Sequence, residues 1–248
     1  MNRVSKVLVC LVVVIIASVS AADAGWVILE ADGQEVLIAK GKMKSAWDNG
    51  VMIIDAEKNE ICFIDDNRKM LASGNVDEIC GEMTQMVESM MANVPDEQKE
   101  MMKKMMGDTK APKVEIVKKG AGEKVAGFET MRYDVMSDGA LYEELWLSAD
   151  KALMKDCEAV MKMMVKFMSC MQAVSSMGSK PSPEASPEYV KLFELGMMVK
   201  SVSHAEGGTA ENTDITTISK KDLSDADFAL PDGYKRVSFQ AMWGMGEE

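Results

Sequence analysis

The sequence predicts an α+β protein, and three observations carry that prediction. Two stretches, 26–71 and 114–147, are built of short segments that alternate apolar and polar residues with the period of a half-buried strand. Each stretch is followed by residues at helical spacing, 76–106 and 148–177, crowded with methionine. Two further strand-like segments, 197–204 and 212–220, close the chain. No shift in composition marks an internal boundary, so residues 25–248 read as a single domain.

Taken in order, residues 36–44 alternate, with Lys40, Lys42 and Lys44 on one face and Ala39, Gly41 and Met43 on the other. Residues 51–55 and 61–65 are apolar runs that each end in Asp, and 56–60 join them as a hairpin. Helices are predicted over 76–93 and 96–106, interrupted at Pro95, with Asp96 capping the second. Residues 114–119 lead through Gly120 and Gly122 into 128–136, where Met131, Tyr133 and Val135 alternate with Thr130, Arg132 and Asp134. The turn Ser137-Asp138-Gly139 returns the chain as a partner strand over 141–147. Ser148 offers an N-cap to a long helix ending near Met177. Prolines 181, 183 and 187 mark an exposed loop, followed by a short helix over 188–195. A turn at Gly207-Gly208 separates the closing strands, residues 222–225 form a helical turn, and beyond 228–234 the tail frays.

The first residues read as an export signal. Arg3 and Lys6 precede an apolar run over 7–19, and Val19-Ser20-Ala21 and Ala22-Asp23-Ala24 supply small residues for cleavage. The run is shorter than the roughly 20 apolar residues of a membrane span. Residues 1–24 are therefore predicted as a signal peptide, and the mature protein as soluble and periplasmic or secreted. Cys10 follows Val9, where a lipidation signal calls for a small residue, so no lipid anchor is expected. In an oxidising compartment Cys62, Cys80, Cys157 and Cys170 allow two disulfides in three pairings, or buried thiols. Cys157 and Cys170 lie about 20 Å apart along one helix and cannot pair with each other.

A net charge of -12 opposes binding to a phosphate backbone, which excludes nucleic acid as a partner. The one histidine, His204, with Ser201, Ser203 and Glu206 nearby along a strand, does not make a triad. Asp65, Asp66 and Asn67 read as turn residues, because the ligand pattern of a calcium loop does not follow them. Glu143 and Glu144 point to opposite faces of a strand and cannot act as a paired acid and base. No phosphate-binding loop occurs. The reading is of a non-enzyme, with no catalytic residue, cofactor or metal site assigned.

Methionine is the anomaly. Of 25 in the chain, Met154, Met161, Met164, Met168 and Met171 share with Cys157 a stripe at spacings of three and four. Val160, Met163, Phe167, Cys170 and Val174 form a second stripe beside it. Such a double-width apolar face must be covered on more than one side, or must cover something. Ordinary core packing is the first account of it. The second is an adaptable surface for a lipid, acyl chain or greasy peptide, lined by Met83, Met86, Met90, Met161, Met164, Met168 and Met171. The third is Cu(I) or another soft metal held by thioethers one turn apart, as at Met83 and Met86, Met101 and Met105, or Met161 and Met164.

Several phrases add to the order of elements: Ser45-Ala46-Trp47-Asp48-Asn49-Gly50, Val51-Met52-Ile53-Ile54-Asp55 echoed by Ile61-Cys62-Phe63-Ile64-Asp65, Lys124-Val125-Ala126-Gly127-Phe128, Glu143-Glu144-Leu145-Trp146-Leu147-Ser148, and the run from Phe228 to Tyr234. Together they resemble the LolA-like superfamily of periplasmic lipoprotein carriers and its relatives. That resemblance implies a strongly curved, unclosed antiparallel sheet, a half-barrel, with the Met-rich helices packed on its concave side. It further implies an apolar cavity between sheet and helices, an apolar ligand or lipidated protein as partner, and transient contact with the envelope membrane or its proteins. The expected function is that of an exported binding protein for an apolar ligand. The alternatives are a periplasmic Met-rich protein for Cu(I), and a structural or partner-binding envelope protein.

Overall fold

The structure, a computed structural model, describes residues 23–92, 94–95, 111–176, 182–204 and 212–242. It is α+β, with a large, curved and unclosed sheet and few helices. The strands are β1 (Asp23–Glu30), β2 (Glu35–Ala39), β3 (Lys42–Trp47), β4 (Gly50–Asp55), β5 (Glu60–Asp65), β6 (Met70–Asn75), β7 (Val114–Ala121), β8 (Met131–Ser137), β9 (Ala140–Ser148), β10 (Met197–Ser203), β11 (Asn212–Leu223) and β12 (Lys235–Arg236). They lie in the order β12-β6-β5-β4-β3-β2-β1-β11-β10-β9-β8-β7, and only β12 against β6 is parallel. The helices are α1 (Val76–Ala92), α2 (Lys151–Ser176), α3 (Pro187–Val190), α4 (Leu192–Leu195) and α5 (Phe239–Met242).

Turn chemistry sets the register. Residues 36–44, read as one strand, are two: β2 and β3 meet at Lys40-Gly41, with φ of 49° and 68°. A two-residue turn with both φ positive is the one whose twist matches a hairpin. The turn also reverses the expected faces, since Ala39 now pairs with Lys42 and Ile38 with Met43. The β4–β5 and β5–β6 hairpins share one device. Asp55 accepts the Lys58 amide (3.1 Å) and Asp65 the Arg68 amide (2.8 Å), each ahead of a left-handed residue, Asn59 or Lys69. This is why both apolar runs end in Asp, and it confirms Asp65 as a turn residue.

Cross-strand pairing lines up Trp26, Ile38, Met43, Ile54 and Ile61 in one row over five strands, each no more than 7% exposed. Against this row pack Val76, Ile79 and Met83 of α1, Leu153, Cys157, Val160, Met163 and Phe167 of α2, and Phe239 and Met242 of α5. Burying a side chain of this size contributes about 1.5–3 kcal/mol. Trp26 also donates its Nε1–H to Asp156 (2.8 Å), tying α2 to β1. Asp150 caps α2, accepting the amides of Ala152 and Leu153 at 3.0 Å each. Ser148, the expected cap, instead accepts the Asp150 amide and is fully buried.

The opposite face is covered too. Val27, Leu37, Ala39 and Leu223 pack on Phe228, and Ile53, Cys62, Ile64 and Leu71 on Leu230 and Tyr234. The predicted helical turn near 222–225 falls at Asp225–Phe228, closed by a reciprocal Ser224–Asp227 capping box. The tail does not fray after Tyr234 as expected. It adds β12 to the sheet edge and buries Phe239 and Met242, whose carbonyl accepts from the Arg68 guanidinium.

A disulfide joins Cys80 of α1 to Cys170 of α2, with a Cα–Cα distance of 5.7 Å. Lys166 and Asp77 (2.7 Å) form an ion pair between the same helices. Cys62 and Cys157 are buried thiols, which burial pushes up to about 11 and about 12 respectively. The expected helix over 96–106, with Met101 and Met105, and the Gly207-Gly208 turn lie outside the described residues, as do residues 1–22.

The disulfide closes a loop of 90 residues. In the chain-entropy account its removal costs about 4.6 kcal/mol. The double variant C80S/C170S is expected to lose roughly that much in urea unfolding, and reductant should lower the wild type but not the variant.

Candidate functional site

A groove of about 610 Å³ runs beside α2, opposite the segment of α3 and α4. Its helical wall follows from sequence: Met154, Glu158, Met161 and Val165 recur at spacings of four, three and four, one flank of a helix. Val190, Phe193 and Glu194 form the facing wall, and Ala149 stands where β9 passes into α2. An adjoining hollow of about 500 Å³, lined by Phe128, Thr130, Met131 and Leu147, shares Ala149 and continues past Asp150.

The facing wall is short but firmly seated. Ser186 accepts the Tyr189 amide (3.1 Å) to start α3, and Tyr189 and Leu192 pack on Tyr133, Val135, Leu145 and Leu147. Gly196 then lets the chain re-enter the sheet, because a Cβ there would sit 2.7 Å from the Ser148 carbonyl oxygen. A register shift between Val135 and Met136, where β9 carries Tyr142 unpaired, lets two neighbouring residues reach the same segment. Tyr142 donates to Glu184, and Tyr189 donates to Glu143 at 2.8 Å. Glu144 looks the other way, to Arg132 and His204, so the two glutamates do lie on opposite faces. Burial pushes the Glu143 carboxyl above its ordinary value, the Tyr189 and Ser201 hydroxyls lower it, and the Glu184 charge raises it.

The groove is amphipathic. Lys151, Lys155 and Lys162 join the apolar side chains in lining it. Lys162 pairs with Glu158 at 2.6 Å, and this holds the Glu158 carboxyl below its usual range. Lys151 and Lys155 are in no ion pair among the described residues. They stand one turn apart at the helix end where the macrodipole disfavours cations.

Of the seven methionines proposed as cavity lining, the structure brings Met161 to this groove. Met83 is buried in the main core, Met164 is half-buried against it, and Met168 is 47% exposed. The side chains of Met86, Met90 and Met171 lie outside the described residues. Beneath α2 the space toward the sheet is filled by Leu153, Cys157, Val160, Met163 and Phe167. Val190 and Phe193 were not singled out from sequence; their spacing of three within 188–195 was the available signal.

Among the described residues no group of three or more His, Cys, Asp or Glu side chains is placed to hold a metal ion. None of their helices is long and apolar enough to cross a membrane. The molecule is thus a curved-sheet α+β protein with an amphipathic groove on the flank of its longest described helix. Residues 58–234 match the model of the family described as Domain of unknown function (DUF4412), and the chain belongs to that family. No curated protein matches the chain. The match takes in both long helices and both walls of the groove.

Two substitutions on the seat of the facing wall have opposite signs. Y189F removes a donor from a buried carboxylate and should cost about 1–3 kcal/mol at neutral pH. The folded-state pKa of Glu143 lies above its ordinary value of 4.5, so its ionised form lowers stability at neutral pH. That loss fades as pH falls through the folded-state pKa. E143Q should therefore raise the melting temperature at neutral pH, by a margin that narrows on acidification toward 4.5.

Proposed function

We propose that the protein is an exported, non-catalytic binding protein that holds an apolar ligand against the Met-rich flank of α2. The observation that carries this reading is the groove itself. About 610 Å³ falls within the 300–1,000 Å³ typical of small-molecule sites, and Met154, Met161, Val165, Val190 and Phe193 offer it an apolar lining. Methionine suits such a wall because its flexible thioether repacks around different shapes. The unclosed, curved sheet supports kinship with LolA-like carriers, with the Met-rich helices laid into its concave side. In this reading the ligand lies beside α2, since the packed side chains beneath the helix leave it no room there.

Export is supported by the charged start and apolar run over 7–19, and by a disulfide of the kind oxidising compartments permit. Asp23 and Ala24 pair with Leu223 and Asp222 in β1. Cleavage after Val19-Ser20-Ala21 would leave that strand whole, whereas cleavage after Ala24 would shorten it.

Native mass spectrometry of mature protein recovered from its own host tests the reading, with an added mass released by organic solvent as the expected result. A ligand-free spectrum together with no uptake of a fluorescent fatty acid would overturn it. F193D should weaken uptake by at least about tenfold, because a carboxylate pressed against an acyl chain costs more than 1.4 kcal/mol.

A further inference from the structure

We infer that the ligand is a single-chain amphiphile with an anionic head, and that Lys151 and Lys155 hold that head; this rests on the groove being a binding site. The lining joins two chemistries on one helix flank: thioether and aliphatic side chains from Met154 to Val165, and ammonium groups beginning at Lys151. Glu158 is answered by Lys162, so the remaining lining charges are Lys151 and Lys155 against Glu194. This is a cationic margin on a chain whose net charge is -12.

The placement of the two lysines works against the helix. They are i,i+4 neighbours of like charge, which repel, and they occupy the positive end of the α2 dipole. The Asp150 carboxylate caps that end through the backbone amides of Ala152 and Leu153, which leaves the repulsion between the two ammonium groups unanswered. An anion bridging the two ammonium groups relieves that repulsion and accepts charge-assisted hydrogen bonds from each. Lys151 and Val165 are separated by about 21 Å along the helix axis. An extended acyl chain anchored by its head at Lys151 and Lys155 would run along Met154, Met161 and Val165, with Phe193 opposite.

Calorimetric titration with palmitate, hexadecanol and cetyltrimethylammonium, which share one tail and differ in head charge, tests the inference at about pH 8, where the carboxylate is ionised. Palmitate should bind at least about tenfold more tightly than hexadecanol, the scale of one charge-assisted hydrogen bond, and the cationic probe most weakly. In K151Q/K155Q that preference should vanish, and salt should weaken palmitate in the wild type alone. Equal affinity for palmitate and hexadecanol, or a double variant that keeps the preference, would overturn head recognition and leave the apolar site standing. Failure of all three probes to bind would remove the site as well, and with it both readings.

Discussion

The packing of one side of α2 onto the Trp26–Ile61 row is the contact on which the remainder of the molecule depends. Leu153, Cys157, Val160, Met163 and Phe167 meet side chains from five strands that are distant in sequence. The helix is held from above by Asp150, from the side by Asp156 against Trp26, and across to α1 through Cys170 and Lys166. With one side committed to the sheet, the neighbouring flank is presented to the segment that follows. A groove on that flank is then a geometric result of a helix whose apolar surface is wider than the sheet can cover.

Both faces of the β1–β6 part are buried, one by helices and the other by residues 224–234. This explains how a chain with 6% aromatic residues builds a core: it uses strands in which neighbours in sequence are both enclosed. Ile53 and Ile54 illustrate it, at 6% and 0% exposed on opposite faces. The β8–β10 part instead gathers a charged cluster on one of its faces, beside the buried Trp146. Arg132, Asp134 and Glu144 form that cluster, and the other face carries Tyr133, Val135 and Leu145 under α3 and α4.

Much of this was legible in residue order. The α+β class, the 51–65 hairpin, the Asp138-Gly139 turn and the long helix follow from periodicity and turn residues, which are local properties. The Lys40-Gly41 turn was hidden because alternation runs through a two-residue loop without a visible break, although the turn changes which residues share a face. The two methionine stripes told that α2 is doubly apolar, yet not which stripe meets the sheet. That choice falls to Leu153, Cys157, Val160, Met163 and Phe167 by long-range packing. The facing wall was the least legible part, because Val190 and Phe193 acquire meaning only once Tyr189 is seated on Glu143. The fate of the tail likewise depends on a partner far away in sequence, the Arg68 guanidinium.

The Cys80–Cys170 bond has a consequence for the integrity of the molecule. It encloses β7, β8, β9 and most of α2 in a covalent ring. A protease that cuts the backbone once between those cysteines produces no separate fragment. The two lengths of chain stay together until a thiol releases them, and each still carries one of the two long helices. A single cut there opens a loop without loss of a piece.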